Sequence, residues 1–228
     1  MDFKRYAVYV TPERGPLADF GAAWLGWDCM TGRSVDHPEV PGLPLPVAEI
    51  TETPRKYGLH ATMKPPFRLP EGQSEAALIA AFDGFCLSAA PVALEALNLA
   101  RLGRFLALVP RGDQTALNAL AAATVHAFEP FRAPLTEAEL ARRRAGGLSP
   151  EQDVLLLTWG YPYVMEAFRF HITLTGKLPR AQAIQTETIL APLIEPLLPR
   201  PFLIAGLSLM GEDALGCFHL IERRALRG

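Results

Sequence analysis

Two stretches of this chain repeat the same order of elements, and this repeat limits the fold more than any other feature of the sequence. Residues 59–109 and 170–222 both read as a strand, a turn marked by proline, a helix and two further strands. His60 and His171 occupy the same point in the two stretches, 111 positions apart. At the later strands, residues 97–99 and 207–209 also match, at an offset of 110 positions. Two nearly equal offsets predict two related halves. The alternative is that two α+β segments share this order by chance.

The order of elements along the whole chain favours an α+β fold. Hairpins between neighbouring strands are typical of antiparallel sheets, so a parallel α/β sheet is disfavoured. Residues 1–228 show no linker composition and are expected to form one domain. The expected strands lie at about 3–10, 57–64, 92–100, 104–109, 167–175, 202–210 and 215–222, and the expected helices at about 15–27, 74–87, 113–128, 136–146, 149–160 and 180–195.

Composition excludes several classes of protein. Half of the residues are hydrophobic and 20% are charged, so the chain is not disordered. The formal net charge of −2 argues against a protein that holds long nucleic acid through its phosphates. Cys29, Cys86 and Cys217 form no C-x-x-C motif, which favours a reducing compartment and argues against a zinc knuckle. Without a signal-peptide pattern or a long apolar run, a soluble cytoplasmic protein with no membrane contact is expected.

Each repeated stretch carries the motif H-x-T on its first strand. Side chains alternate along a strand, so His60, Thr62 and Lys64 are expected on one face of the first strand. The matching face of the second strand is expected to carry Arg169, His171 and Thr173. Each strand therefore offers an imidazole, a hydroxyl and a cation. A pseudo-twofold relation between the halves would place the two polar faces across a cleft.

Two opposed histidines suit the cleavage of a phosphodiester by in-line displacement. A neutral imidazole takes a proton from the attacking oxygen, and an imidazolium gives a proton to the leaving oxygen. The hydroxyls of Thr62 and Thr173 would donate to non-bridging phosphate oxygens, and Lys64 or Arg169 would add positive charge. This scheme needs no metal and no cofactor, and H-x-T lacks the ligands of a hydrolytic metal site. The alternative is a pair of half-buried strand histidines, each hydrogen-bonded to its neighbouring threonine.

Other side chains near the motifs are candidates for substrate binding. Arg55 and Tyr57 precede the first motif and are expected to reach the cleft, with a charged loop residue and a packed aromatic as the alternatives. Tyr163 belongs to an aromatic cluster ahead of the second motif, where a base or sugar would stack unless the cluster serves packing. The alternative for Lys64 is a solvated side chain at the end of the strand. The alternative for Arg169 is an ion pair with a nearby acidic residue.

A basic run at residues 142–144 falls at the end of a predicted helix. Cations at this position match the helix dipole, and a patch that contacts RNA is the alternative. His37, His126 and His219 carry no partner motif, and no role is assigned to them.

Four segments together resemble a known superfamily. They are 54–64 (PRKYGLHATMK), 131–136 (FRAPLT), 159–164 (WGYPYV) and 168–176 (FRFHITLTG). The paired H-x-T motifs resemble the two-histidine phosphoesterase superfamily, which includes RNA 2′,3′-cyclic phosphodiesterases related to RNA ligation. The four segments are similar to a bacterial branch of that superfamily that is associated with phosphonate-utilisation operons.

The resemblance implies a bilobal fold, with two pseudo-symmetric lobes of antiparallel sheet plus helices around a central cleft. It implies metal-independent acid–base chemistry on a cyclic or linear phosphodiester, as in a 2′,3′-cyclic phosphodiesterase. His60 and His171 fall on the catalytic positions of the superfamily, and Thr62 and Thr173 fall on its phosphate-binding positions. The implied partner is a small phosphodiester or cyclic phosphate, such as a ribosyl cyclic phosphate, or RNA ends, with no obligate protein partner.

Two classes of function stay open on the sequence. The first is an enzyme that opens or forms a phosphodiester bond, and the second is a nucleotide- or RNA-end-binding module without turnover. Histidines at both motif positions favour the enzyme, because a binding module needs neither an acid nor a base. RNA end-joining would need a larger nucleic-acid footprint than the net charge suggests. The sequence leaves open the substrate and which histidine is the acid.

Overall fold

Antiparallel sheets with covering helices make up the computed structural model, which describes residues 2–228. The strands are β1 (Arg5–Val10), β2 (Trp27–Asp28), β3 (Arg33–Ser34), β4 (Ala61–Phe67), β5 (Val92–Leu94), β6 (Ala96–Leu102), β7 (Phe105–Arg111), β8 (Ile172–Thr173), β9 (Phe202–Ile204), β10 (Gly206–Glu212) and β11 (Phe218–Ala225). The helices are α1 (Pro16–Leu25), α2 (Val47–Ile50), α3 (Glu52–Arg55), α4 (Glu75–Ser88), α5 (Thr115–Ala127), α6 (Glu137–Arg144), α7 (Pro150–Trp159) and α8 (Arg180–Ile194). None of the helices in residues 2–228 has the length and apolar character of a membrane span.

Strand pairing places most of the strands in two larger sheets. The first sheet has the order β11-β10-β1-β4, and the second has the order β6-β7-β8. In addition, β5 pairs with β9 and β2 pairs with β3, and all these pairings are antiparallel. The predicted α+β fold, with antiparallel sheets in two lobes, is therefore confirmed.

The two repeated stretches exchange elements between these sheets. β4, the first motif strand, lies in the sheet that contains the hairpin β10–β11 of the later stretch. β8, the second motif strand, pairs with β7 of the hairpin β6–β7 from the earlier stretch. Between the sheets, Ala93 of β5 pairs with Leu203 of β9, 110 positions further on. This pairing supports a twofold relation with the predicted offset, and the boundaries of the repeat stay a prediction.

Capping residues begin several helices at the positions that the sequence predicts. The Ser74 side chain caps α4, and Thr136 and Ser149 form capping boxes with Glu139 and Gln152 at the starts of α6 and α7. These side chains satisfy backbone amides that have no partner within the helix. The three helices therefore start where local hydrogen bonding favours them.

The expected strand over 167–175 is wrong in length, because β8 spans only two residues. Upstream, Met165–Ala167 forms a 3-10 turn. Downstream, the amides of Leu174 and Thr175 both donate to the carbonyl of Leu106, which ends the regular ladder. The second motif therefore lies on a short edge strand.

A bulge in the pairing of β4 with β1 decides where Lys64 points. Thr62 pairs with Tyr9 and Lys64 pairs with Val8, so the register shifts by one residue between the two pairs. Paired residues in an antiparallel ladder point to the same side of the sheet, and a bulge interrupts the alternation. Val8 belongs to the main core, whereas Tyr9 faces the cleft described below. The prediction that Lys64 shares a face with Thr62 is therefore wrong.

The Lys64 side chain enters the core and is only 1% exposed. Its Nζ donates to Oε2 of Glu129 at 2.6 Å and to the carbonyl of Val125 at 3.2 Å. Burial lowers the pKa of Lys64, and the Glu129 carboxylate opposes this shift. The ion pair joins β4 to the turn that follows α5.

Removal of Glu129 is expected to destabilise the fold, because it leaves the Lys64 ammonium buried beside one carbonyl. Glu129→Ala should lower the free energy of unfolding by about 2–3 kcal/mol, since Glu129 is 24% exposed and the pair is partly screened. Lys64→Met, which keeps the volume and removes the charge, should cost less. Urea denaturation measures both, with Asp153→Ala in the exposed Arg144–Asp153 pair as the control. Equal losses for Glu129→Ala and Asp153→Ala would contradict this account.

Candidate active site

The two H-x-T motifs meet where the two larger sheets approach each other. His60 immediately precedes β4 and His171 immediately precedes β8, and these two strands lie in contact. A cleft of about 600 Å³ opens there, lined from the first motif by His60 and Thr62 and from the second by Thr173. The His171 ring lies beside this cleft, with its centre 5.9 Å from that of Phe105, which lines the cleft. The four motif side chains are thus brought together.

Both histidines are held in the same tautomer by the backbone. Nδ1 of His60 lies 2.9 Å from the carbonyl oxygen of Gly58, and Nδ1 of His171 lies 2.7 Å from that of Arg169. A carbonyl oxygen only accepts a hydrogen bond, so each Nδ1 carries a hydrogen. In both motifs the carbonyl belongs to the residue two positions before the histidine. Each neutral imidazole therefore keeps Nε2 as its free basic nitrogen.

Aromatic rings cover His60 and keep it neutral. The Tyr9 ring stacks on the imidazole with centres 3.9 Å apart, and the Tyr57 ring lies at 5.7 Å. Burial lowers the pKa of His60 to about 4, the charge of His171 lowers it further, and the Gly58 carbonyl opposes the shift. At neutral pH the His60 imidazole is therefore uncharged and able to accept a proton.

The threonine of the first motif lies within hydrogen-bonding distance of the histidine nitrogen that is free. Oγ1 of Thr62 is 3.3 Å from Nε2 of His60 and donates to it while the imidazole is neutral. Thr62 and Thr173 are both half-buried and line the cleft from different sheets. A phosphate group between them would meet one hydroxyl from each side. Tyr57 forms part of the cleft wall, as the sequence predicts.

Two arginines predicted to bind substrate are engaged elsewhere. The Arg55 guanidinium donates to the carbonyl of Leu25 at 3.1 Å and to that of Ala48, which ties α3 to the end of α1 and to α2. Arg169 is exposed, and its Nη1 donates to the backbone carbonyls of Glu166 and Phe168 at 3.0 and 2.6 Å. Neither side chain lines the cleft, so the expectation that they contact substrate there is wrong. The Arg169 backbone still orients His171 through its carbonyl.

Tyr163 also lies outside the cleft. Its side chain is 48% exposed and packs edge-on against Tyr161, with ring centres 5.6 Å apart. Tyr161 lines the cleft in its place. The aromatic cluster is therefore at the predicted location, but a different member of it faces the ligand space.

Sequence reasoning missed several cations of the cleft. The lining includes Arg5, Lys56, Arg142, Arg143 and Lys177. Arg5 and Tyr9 share one face of β1, a signal that was visible in the sequence but carried no motif. Arg142 and Arg143 belong to the basic run at residues 142–144, which is expected from the sequence to match the helix dipole. The sequence around α6 contains no sign that this helix ends at a cleft. Among residues 2–228, no three His, Cys, Asp or Glu side chains gather as a metal site.

Comparison with known families gives a match over most of the chain. Residues 62–219 match the family described as "Protein of unknown function (DUF1045)". Two curated relatives are both named ribose 1,5-bisphosphate phosphokinase PhnN. The protein of Janthinobacterium sp. (strain Marseille) is 42% identical over 187 residues, and that of Laribacter hongkongensis (strain HLHK9) is 36% identical over 222 residues. These matches cover 81% and 93% of this chain but 41% and 49% of the relatives, so the chain spans less than half of their length.

Solved structures of similar outline include one protein described as a phosphoesterase. TT0787 of Thermus thermophilus aligns over 98% of both chains, with a TM-score of 0.46 and 15% identity. A protein described as a phosphoesterase aligns over 100% of both chains, with a TM-score of 0.46 and 15% identity. LigT of E. coli, solved with 3′-AMP, also aligns over 100% of both, with a TM-score of 0.43 and 14% identity. The predicted resemblance is present, and at this identity the activity must be argued from the chain's own cleft.

The protonation of His60 can be observed directly. Because burial lowers its pKa to about 4, the imidazole is expected to stay neutral, with hydrogen on Nδ1, as the pH falls from 7 to 5. NMR titration of the imidazole nitrogens measures this, and the His60→Gln variant identifies the signal by its loss. A midpoint near the ordinary histidine value of about 6.5 would contradict the burial of this ring.

Proposed function

We propose that this chain, which belongs to the family described as "Protein of unknown function (DUF1045)", is a phosphoesterase that opens a cyclic or linear phosphodiester without a metal ion. The observation that carries the proposal is the matched pair of imidazoles. Each has Nδ1 bound to a backbone carbonyl, which leaves Nε2 as the basic nitrogen, and the two precede motif strands of different sheets at one cleft. Pre-positioned acid and base groups of this kind suit a displacement at phosphorus.

The proposed reaction is one displacement at phosphorus with two proton transfers. Nε2 of His60 takes a proton from a water molecule, and the water oxygen forms a bond to phosphorus. The bond from phosphorus to the leaving ester oxygen breaks, and Nε2–H of His171 gives that oxygen a proton. The product is a phosphomonoester with a free hydroxyl group. The His60 imidazolium and the neutral His171 imidazole then return to their first states by proton exchange with solvent.

The environments of the two histidines support this assignment of roles. His60 lies under Tyr9, and burial keeps it neutral and ready to act as the base. His171 then supplies the acid. The hydroxyls of Thr62 and Thr173 donate to the non-bridging oxygens, where negative charge increases in the transition state. A binding module without turnover would need no such difference between the two imidazoles.

The curated relatives support a substrate of the sugar phosphate class. Both are named for ribose 1,5-bisphosphate, and the chain matches less than half of each, so the named activity belongs to those whole proteins. A ribosyl cyclic phosphate is the phosphodiester nearest to that compound in chemistry, and RNA 2′,3′-cyclic ends form the second substrate class. Residues 1–228 act as one two-lobed unit in this proposal. Free thiols at Cys29, Cys86 and Cys217 support work in a reducing compartment such as the cytoplasm.

Loss of either imidazole is expected to remove most of the activity. His60→Ala and His171→Ala should each lower turnover of a cyclic phosphodiester by roughly 10²–10⁴-fold, because each removes a proton-transfer group. The double variant should lose less than the product of the two factors, since the groups act together. Steady-state assays on ribosyl and nucleoside cyclic phosphates measure this, with His126→Ala on the exposed face of α5 as the control. Full activity in either single variant would refute the assignment.

The pH dependence of kcat/KM distinguishes the base from the acid. Activity should rise with pH through an acid limb near pH 4, where His60 loses its proton, and fall at alkaline pH, where the general acid is no longer protonated. His60→Ala should lack the acid limb, and His171→Ala should lack the alkaline limb. An acid limb that survives in His60→Ala assigns the base elsewhere, and a rate that climbs steadily to pH 9 excludes two-histidine catalysis.

Activity is expected to survive the removal of metal ions. The proposed step uses imidazoles and hydroxyls, so dialysis against EDTA should leave kcat/KM unchanged. A phosphodiesterase of known metal dependence, dialysed in parallel, shows that chelation was complete. Loss of activity with recovery on the addition of one metal ion would contradict the mechanism.

A further inference from the structure

The cleft carries far more positive charge than the reaction above uses. Its lining includes five basic side chains, and no Asp or Glu of residues 2–228 lines it. The whole chain has a net charge of −2, so this concentration of cations is local. A cluster of like charges in a half-enclosed space raises the free energy of the protein unless an anion joins it. The excess positive charge therefore favours binding of a second anionic group in addition to the reacting phosphate.

Three arginines form the core of this charge. Arg142 and Arg143 end α6, and Arg5 approaches from β1. Burial lowers the pKa of the Arg143 guanidinium, and the charges of Arg142 and Arg5 lower it further. Arg5 is paired with the carboxylate of Glu212. Arg142 and Arg143 have no carboxylate within ion-pair distance in the part of the chain that the structure describes.

The Arg143 side chain is fixed in place but has a free donor. Its guanidinium lies 4.8 Å from the centre of the Tyr161 ring, which orients the planar group. Its Nε is buried and has no hydrogen-bond partner within residues 2–228. Arg144, the next residue, instead binds Asp153 on the outside of the molecule through two hydrogen bonds. A rigid guanidinium with an unused donor is suited to bidentate binding of a phosphate.

Tyr9 lies next to His60, whereas Arg5 lies at the other end of β1. The Tyr9 ring stacks on His60, and its hydroxyl is buried without a hydrogen-bond partner among residues 2–228. Arg5 lies four residues before Tyr9 on the same face of β1, which places their Cα atoms about 14 Å apart along the strand. One phosphate held between the two histidines would leave Arg142 and Arg143 without an anion. Two phosphate groups on one sugar-sized ligand would satisfy both parts of the cleft.

We propose that Arg5, Arg142 and Arg143 bind a second phosphate group of the substrate, a terminal phosphomonoester that is not itself cleaved. The preferred substrate is then a cyclic phosphodiester of a phosphorylated sugar or nucleoside. The kinetic part of this inference rests on the proposed function, whereas the binding part does not. The terminal phosphate belongs either to a free sugar phosphate or to a nucleotide, and the two sources share the same binding chemistry.

Paired substrates test the site and separate the two sources. One pair is ribose 1,2-cyclic phosphate and its 5-phosphorylated form, and the other is adenosine 2′,3′-cyclic phosphate and its 5′-phosphorylated form. The wild type should prefer the phosphorylated member of at least one pair by about 10- to 100-fold in kcat/KM, the value of one or two hydrogen bonds to a charged group. The pair that shows the preference identifies the source. Equal rates within both pairs would overturn the proposal.

Substitution of Arg143 should remove this preference selectively. Arg143→Met keeps the side-chain stem on Tyr161 and removes the charge, so it should lower kcat/KM for the phosphorylated member and leave the other member nearly unchanged. Arg142→Ala should act in the same direction. Arg144→Ala, on the same helical turn but outside the cleft, is the matched control and should keep the preference. An equal loss on both members of a pair in Arg143→Met would place the arginines at the reacting phosphate and overturn the proposal.

A binding experiment keeps the inference testable if no diester is hydrolysed. Isothermal titration with ribose 5-phosphate and AMP, against ribose and adenosine, measures recognition of a phosphomonoester alone. Binding should be lost in Arg143→Met, whose fold is checked by its thermal transition, and kept in the His60→Ala/His171→Ala double variant. Failure of turnover with this binding pattern would refute only the proposed function. No phosphate-dependent binding, or binding lost with the histidines and kept in Arg143→Met, would refute the second phosphate site.

Discussion

The register between β1 and β4 determines which side chains reach the cleft and which enter the core. The pair of Tyr9 with Thr62 puts the Thr62 hydroxyl and the ring that covers His60 on one side. Because of the bulge, the side chain of Lys64, two residues further along β4, points to the opposite side of the sheet from Thr62. Lys64 therefore pairs with Glu129 in the interior. Without the bulge, the lysine would face the cleft and Glu129 would lose its buried cation. A single shift in strand pairing therefore leaves Thr62 facing the cleft and places Lys64 in a buried ion pair.

The two histidines share their backbone geometry but differ in their surroundings. A carbonyl two residues upstream fixes the tautomer in both, a local device that each H-x-T strand carries with it. Tyr9 and Tyr57 cover His60, while His171 lies beside Phe105 at a short edge strand. The shared part defines which nitrogen is basic, and the rings that cover His60 bury it and so lower the pKa of that imidazole. Acid and base can thus arise from the same motif.

Local patterns predicted the fold and the four motif side chains, whereas features that depend on distant contacts were missed. Alternation along a strand is a local property, so His60 and Thr62 lie where the sequence placed them. The bulge that redirects Lys64 depends on β1, which is some 50 residues away in sequence, and has no local signal. Arg55 is held by carbonyls of α1 and α2, and Arg143 reaches the cleft only because α6 ends beside Tyr161. The net charge of the whole chain does not show the local excess of positive charge in the cleft.

The exchange of hairpins between the two stretches means that neither stretch can complete a sheet alone. A symmetric dimer of two identical halves would instead build two identical sheets. In such a dimer the two imidazoles would be chemically identical and would have the same pKa. Joining the halves in one chain removes this restriction, because Tyr9 of β1 pairs with Thr62 and covers His60, whereas β7 places Ala107 opposite Thr173. Covalent linkage of the halves thereby permits the proposed division of labour between an acid and a base, which strict symmetry forbids.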